Sequence, residues 1–357
     1  MKSNSLLENL KFKNPKFTER FKIAIRKGHF PIEPRKVKSL FQWLQDRSKP
    51  ILYLMLGVTY RCQLLCNHCA VNSYIKKDQK DLTTEEIKDL IDQSANLFAL
   101  NLIGGEPTLR KDLMEIIEYA SNKAMLISID SNGISMTEDY VQQLKEAGID
   151  IVFISLDSAT PEIHDANRNL KGCFDISMRA MKNAVGAGIK RCYFSYTMTN
   201  EGLENGDFER LIEVAKSAGA HGVRYLPPYP TGRWLHHSEV ILTASARKKL
   251  WDLANKHFPY VFREWHTQYQ DNPSCVALKT KIYYYVSPYG EVQPCITIPY
   301  SFGNIRERPL KEIFDYMWNH PLYEKMCKCS SCAMADTSFR KDHIENISIN
   351  TQLPIKI

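Results

Sequence analysis

The chain has 357 residues, 44% hydrophobic and 24% charged, with a formal net charge of +7, enough apolar material for one large core and a smaller one. No apolar run approaches the ~20 residues of a membrane span, and Met1-Lys-Ser-Asn-Ser5 has none of a signal peptide's apolar core, so a cytoplasmic protein is expected. Ten cysteines in such a chain are expected to be metal ligands or buried thiols rather than disulfides.

Residues 1–50 come first and hold the basic excess, 13 Lys and Arg against 4 Asp and Glu, which leaves the remainder at −2. Phe17, Phe21 and Ile25 recur at helical spacing, and Val37, Leu40, Phe41 and Leu44 form a second stripe. A basic helical extension is expected, either as a solvated cap on the fold or as a contact for an acidic partner or a membrane surface.

From residue 51 strands and helices alternate. Apolar strand patterns cover 52–58, 98–103, 125–129, 151–156, 191–197 and 222–226, with helical patterns between them. The first helix opens on a capping box, Thr83 with Glu86, and Leu82 is placed to staple against Ile87. The second shows Leu109, Leu113, Ile116 and Ile117 on one face. Such alternation builds a parallel sheet with right-handed crossovers, whose ligands gather at the carboxyl ends of the strands. Those ends carry Cys62-Gln-Leu-Leu-Cys66-Asn-His-Cys69, then Gly104-Gly105-Glu106-Pro107, then Ser131-Asn132-Gly133. Ser155 and Asp157 end the fourth strand and His164-Asp165-Ala-Asn-Arg168 follows; Ser195, Thr197 and Asn200 follow the fifth and Leu226 ends the sixth. The Pro-rich exit with Arg233, Trp234, His236 and His237 is either a linker or a substrate wall. Cys173 and Cys192 read as small buried hydrophobes.

Three thiols spaced three and then two residues apart suit a four-iron cluster with one iron left open, because such clusters otherwise carry a Cys on each iron. A zinc site begun by Cys66 and Cys69 is the competing reading. The ordered pair, Cys-x3-Cys-x2-Cys after the first strand and Gly-Gly-Glu-Pro after the second, resembles the radical S-adenosylmethionine (radical SAM) superfamily. That resemblance implies a partial (β/α)6 barrel and a SAM-binding 4Fe-4S cluster on Cys62, Cys66 and Cys69. It implies one-electron cleavage of S-adenosylmethionine to methionine and a 5'-deoxyadenosyl radical, which takes hydrogen from a substrate C–H bond. It places Gly104, Gly105 and Glu106 along the methionine end of the cofactor, the glycines permitting close approach. Ser131 and Asn132 fall in the family's polar segment, Ser155 and Arg168 near ribose and carboxylate, and Ser195, Thr197, Asn200 and Leu226 near ribose and adenine. His68 departs from the aromatic residue that many members place before the last cluster Cys.

Further cysteines follow at Cys275, Cys295, Cys327, Cys329 and Cys332. Pro288-Tyr-Gly290 reads as a hairpin turn between 282–286 and Val292 that brings Cys275 and Cys295 together. The pattern is similar to the twitch module, a shortened form of the SPASM extension, and implies one auxiliary 4Fe-4S cluster on Cys275, Cys295, Cys329 and Cys332. Cys327 competes for the third position, and structural zinc is the alternative. Val276 stands where formylglycine-forming members carry Asp.

The expected fold class is α/β: a basic helical extension at 1–50, the partial barrel at 51–240, and a linker helix with a small α+β auxiliary-cluster module at 241–357. The resemblance implies an oxidoreductase or maturase acting on a small-molecule, lipid or peptide substrate by oxidation, epimerisation or bond formation. A flavodoxin- or ferredoxin-type electron donor is expected, and no nucleic acid. No catalytic side chain is assigned. The alternative from another class is a non-catalytic zinc module that contacts nucleic acid through its basic N-terminus.

Overall fold

A computed structural model describes Glu19 and residues 52–94, 97–123, 125–263 and 275–357. The basic helices expected at 1–50 therefore lie, Glu19 apart, outside the described residues. Six strands fall within two residues of their expected ends: β1 Leu52–Thr59, β2 Leu97–Gly104, β3 Leu126–Ser131, β4 Ile151–Ser155, β5 Arg191–Thr197 and β6 Gly222–Leu226. They pair in parallel in consecutive order. β2 is buried along nearly its whole length, as a central strand covered on both faces must be.

The strands are joined by helices α1 Thr84–Gln93, α2 Leu113–Asn122, α3 Glu138–Ala147, α4 Pro161–Arg168, α5 Cys173–Gly186, α6 Asn200–Glu204 and α7 Asp207–Ser217. α1 starts where its capping box dictates, Thr83 accepting from the Glu86 N–H and Glu86 accepting from the Thr83 N–H at 2.7 Å. Alternation decides which strand residues meet the helices. Ile127, Ile129, Phe194 and Val223 join Ile87, Ile117, Leu144 and Leu211 in one core. Their neighbours Ser128, Asp130, Ser195 and Arg224 occupy the opposite face, inside the curved sheet.

The sheet is larger than the six units expected. Its order is β7-β6-β5-β4-β3-β2-β1-β8-β9, with β7 Val261–Phe262 on one edge and the hairpin β8 Tyr283–Val286 and β9 Val292–Gln293 on the other. The hairpin turn lies at Ser287 to Gly290 as expected, with the Gly290 N–H donating to the Ser287 carbonyl and Gly290 at φ +88°. β8 also runs parallel to β1, Tyr53 opposite Tyr283 and Leu56 opposite Val286. Its four residues, Tyr-Tyr-Tyr-Val, are all buried, the mark of an inner strand rather than of a free hairpin arm. The cysteine-rich C-terminal part is thus built onto the barrel sheet. Among the described residues no helix is long and apolar enough to cross a membrane.

Candidate active site

The loop after β1 carries Cys62, Cys66 and Cys69, and it is anchored on both sides. The Asn67 N–H donates to the Asn167 carbonyl at 2.9 Å, at the end of α4. On the other side, Gly105 donates to the Thr59 carbonyl and Glu106 to the Arg61 carbonyl, both at 2.8 Å. A Cβ at Gly104 would collide with the Thr59 carbonyl oxygen, and one at Gly105 with the carbonyl oxygens of Tyr60 and Arg61. The two glycines are required here for the backbone of the cysteine loop, a reason that the motif alone did not reveal.

Glu106 is 1% exposed and gathers four donors. Thr108 Oγ1 at 2.7 Å, Ser131 Oγ at 2.9 Å and the Thr108 N–H reach Oε1, and the Asn132 N–H reaches Oε2 at 2.8 Å. Burial pushes its carboxyl upward against these hydrogen bonds. Its side chain therefore ties the glycine turn to the Ser131-Asn132 segment. Asn132 Nδ2 continues to Gln63 Oε1 at 3.2 Å and stands 3.9 Å from Cys62 Sγ.

Arg168 is buried, not on the surface of its helix. Its guanidinium grips Asp157 through Nε at 2.6 Å and Nη2 at 2.8 Å, with Nη1 3.8 Å from Cys66 Sγ. Burial would raise the Asp157 carboxyl, but the Arg168 guanidinium beside it holds it well below the usual range. His68 lies 3.6 Å from Asp157 and 5.7 Å, ring to ring, from Trp234.

The barrel interior adds a polar chain of which the sequence reading named only Ser195. Ser128 donates to Asn101, Asn101 to Asp130, and Asp130 is paired with Arg224, which also donates to Ser195 Oγ at 2.8 Å. The Arg224 guanidinium lies 3.6 Å over the Phe153 ring. These residues sit inside strand patterns and carry no motif; a charged residue within Gly222–Leu226 was the one signal available.

A single cavity of about 430 Å³ joins these parts. Its wall holds Cys62, Cys66 and Cys69, and also Cys275, Cys295 and Cys332. Gly104, Gly105, Glu106, Ser131, Asn132, Ser155, Arg168 and Leu226 line it as well, together with Ser195, Thr197 and Trp234. Other expected residues lie elsewhere. Asn200 bonds the Ile241 carbonyl and the Thr243 N–H, His236 is exposed, and His237 pairs with Glu239 at 2.6 Å. Cys329 is off the wall with its Sγ toward the Lys325 carbonyl at 3.5 Å, and Cys327 is also off it. Cys173 is buried as expected but packs beside Leu64 and Cys66.

Residues 56–215 match the radical SAM superfamily, and residues 275–344 match SPASM, an iron–sulfur cluster-binding domain. The chain belongs to the radical SAM superfamily. An AdoMet-dependent heme synthase of Methanosarcina barkeri is 29% identical over 283 residues, 72% of this chain and 80% of that protein. The mycofactocin maturase MftC of Mycolicibacterium smegmatis is 33% identical over 227 residues, 61% of this chain and 54% of that protein, so the match spans about half of the maturase. Streptococcus suis SuiB bound to the precursor peptide SuiA shares the fold, with a TM-score of 0.61 at 14% identity over 92% of this chain and 77% of that one.

This radical SAM enzyme uses S-adenosylmethionine with a 4Fe-4S cluster, and its SPASM domain implies auxiliary iron–sulfur chemistry. The match sets aside the zinc-module alternative. The cavity suits these groups. Soft thiols stand on an otherwise largely apolar wall, the donor type that iron–sulfur clusters take. Burial pushes the Cys275 thiol up to about 11 and raises Cys66 and Cys295 as well. Among the described residues no three His, Cys, Asp or Glu side chains gather about a single-ion position.

Proposed function

We propose that Cys62, Cys66 and Cys69 hold the S-adenosylmethionine-binding cluster and that Cys275, Cys295, Cys329 and Cys332 hold an auxiliary one, with substrate between them. In this reading residues 51–240 form the cofactor-cleaving unit and 241–357 the auxiliary unit. The observation that carries it is the single cavity with Cys62, Cys66 and Cys69 and three of the four auxiliary thiols, Cys275, Cys295 and Cys332, on its wall. When bound, cluster and S-adenosylmethionine supply one-electron sulfonium cleavage and hydrogen abstraction from a C–H bond. The chain's own residues position and shield. Glu106 fixes the Gly104-Gly105 turn against Ser131 and Asn132, and Arg168 brings positive charge beside Cys66. Ser155 and Leu226 line the cavity where the nucleoside end of the cofactor would lie.

A pocket of several hundred Å³ is filled by one ligand of ordinary size. The nucleotide therefore occupies most of the cavity, and a substrate inserts one group while its bulk stays outside. Three cavity residues, Leu65, Ile75 and Leu226, are 58%, 49% and 36% exposed and form an apolar rim. A peptide that offers one side chain past this rim suits the arrangement, and the shared fold with peptide-bound SuiB supports it. Electrons would come from a flavodoxin- or ferredoxin-type protein.

Anaerobic reconstitution with iron and sulfide tests this. With dithionite and S-adenosylmethionine the chain is expected to form 5'-deoxyadenosine, and Cys62→Ala, Cys66→Ala or Cys69→Ala to abolish it. A Cys275→Ala/Cys295→Ala chain is expected to lose about four irons yet still form the nucleoside. Colourless protein that holds stoichiometric zinc would overturn the proposal.

A further inference from the structure

A short turn ties the two cysteine sites together. The Arg233 N–H donates to the Cys69 carbonyl at 3.0 Å, and the Arg233 side chain reaches Asn72 Oδ1 at 3.2 Å. Two residues earlier, Thr231 Oγ1 donates to the Thr297 carbonyl at 3.3 Å, while Thr297 Oγ1 stands 3.3 Å from Cys295 Sγ. The approach to the first loop is close. Gly232 sits at φ +56°, and a Cβ on it would collide with the Cys69 carbonyl oxygen and with the backbone of Ala70. Trp234, which follows Arg233, lines the cavity against His68. Thr231 itself is 7% exposed. Three consecutive residues thus contact both loops, and close-packed contacts transmit displacement rather than absorb it.

We infer that Thr231, Gly232 and Arg233 form a positioning element that couples the two cysteine sites, so that the auxiliary set influences how tightly the first set takes S-adenosylmethionine. The inference rests on the ligand assignment proposed above. The element takes no part in the chemistry; it acts through the carbonyls of Cys69 and Thr297.

A double-mutant cycle on the anaerobically reconstituted full chain tests it, read as the S-adenosylmethionine Kd by equilibrium dialysis. Thr231→Val removes the hydrogen bond to Thr297, and Cys275→Ala/Cys295→Ala removes the auxiliary set. Losing the auxiliary set is expected to weaken binding about fivefold or more when Thr231 is present, and less than about twofold in the Thr231→Val chain. Thr231→Ser, which keeps the hydroxyl, is expected to behave as the native chain. Should Thr231→Val fail to take up iron, Thr231→Ala completes the same cycle. Equal fold changes with and without the hydroxyl, or none in the native background, would overturn the coupling alone. A native chain that binds no S-adenosylmethionine would instead refute the proposed function.

Discussion

His164 lies beside the buried ion pair and is held neutral by its burial. The Asp157 N–H donates to His164 Nδ1 at 3.0 Å. Burial pushes the imidazole down to about 4, against the pull of Asp157. An unfolded histidine titrates near 6.5, so the depressed group contributes stability that is complete above about pH 6.5 and fades as pH falls toward 4. One proton corresponds to about 1.4 kcal/mol per pH unit over that window. Chemical denaturation of the metal-free chain at pH 7, 6, 5 and 4.5 should show this slope. His164→Asn, which keeps an acceptor for the Asp157 N–H, should show about one proton less. An unchanged slope would mean that His164 is not the titrating group. At this scale the sequence disclosed which residues matter but not what they touch. Glu106 was legible as part of a motif, yet its partners Ser131 and Asn132 arrive from another strand. Asp130 and Arg224 lie in or beside apolar strand patterns with no motif to single them out, and the curvature of the sheet sets them face to face.

Among elements, the capped helix and the six strands followed directly from local rules. Thr83 with Glu86 marks the start of α1, and the apolar strand runs have one period and clear ends. β8 was harder, because Tyr283–Val286 reads equally as a hairpin arm and as an inner strand until β1 is seen beside it. The glycine turn after β2 makes the sharpest demand on an element boundary. Gly105→Ala places a methyl group against the carbonyls of Tyr60 and Arg61, and overpacking of this kind costs about 1–3 kcal/mol. The expected result is a lower denaturation midpoint together with reduced iron uptake, because the displaced backbone carries Cys62. Native stability and native iron content in that variant would show that the cysteine loop is not braced by the turn.

For the whole molecule, the order of motifs along the chain made the family legible, since a barrel brings strand ends together whatever their separation in sequence. The substrate was not legible, because the cavity wall is assembled from more than ten short segments and its rim residues Leu65, Ile75 and Leu226 carry no pattern. The basic excess of residues 1–50 lies outside the described region apart from Glu19, and a role for it in meeting an acidic partner or a membrane surface stays a proposal. The central claim is that the first three thiols hold a cluster with one coordination site open to the nucleotide. Electron paramagnetic resonance of the anaerobic, dithionite-reduced Cys275→Ala/Cys295→Ala chain tests it with a single cluster in view. The account predicts one 4Fe-4S signal that shifts when S-adenosylmethionine is added and disappears on further replacement of Cys62, Cys66 and Cys69 by Ala. A signal that the nucleotide leaves unaltered, or one that survives loss of those three thiols, would contradict it.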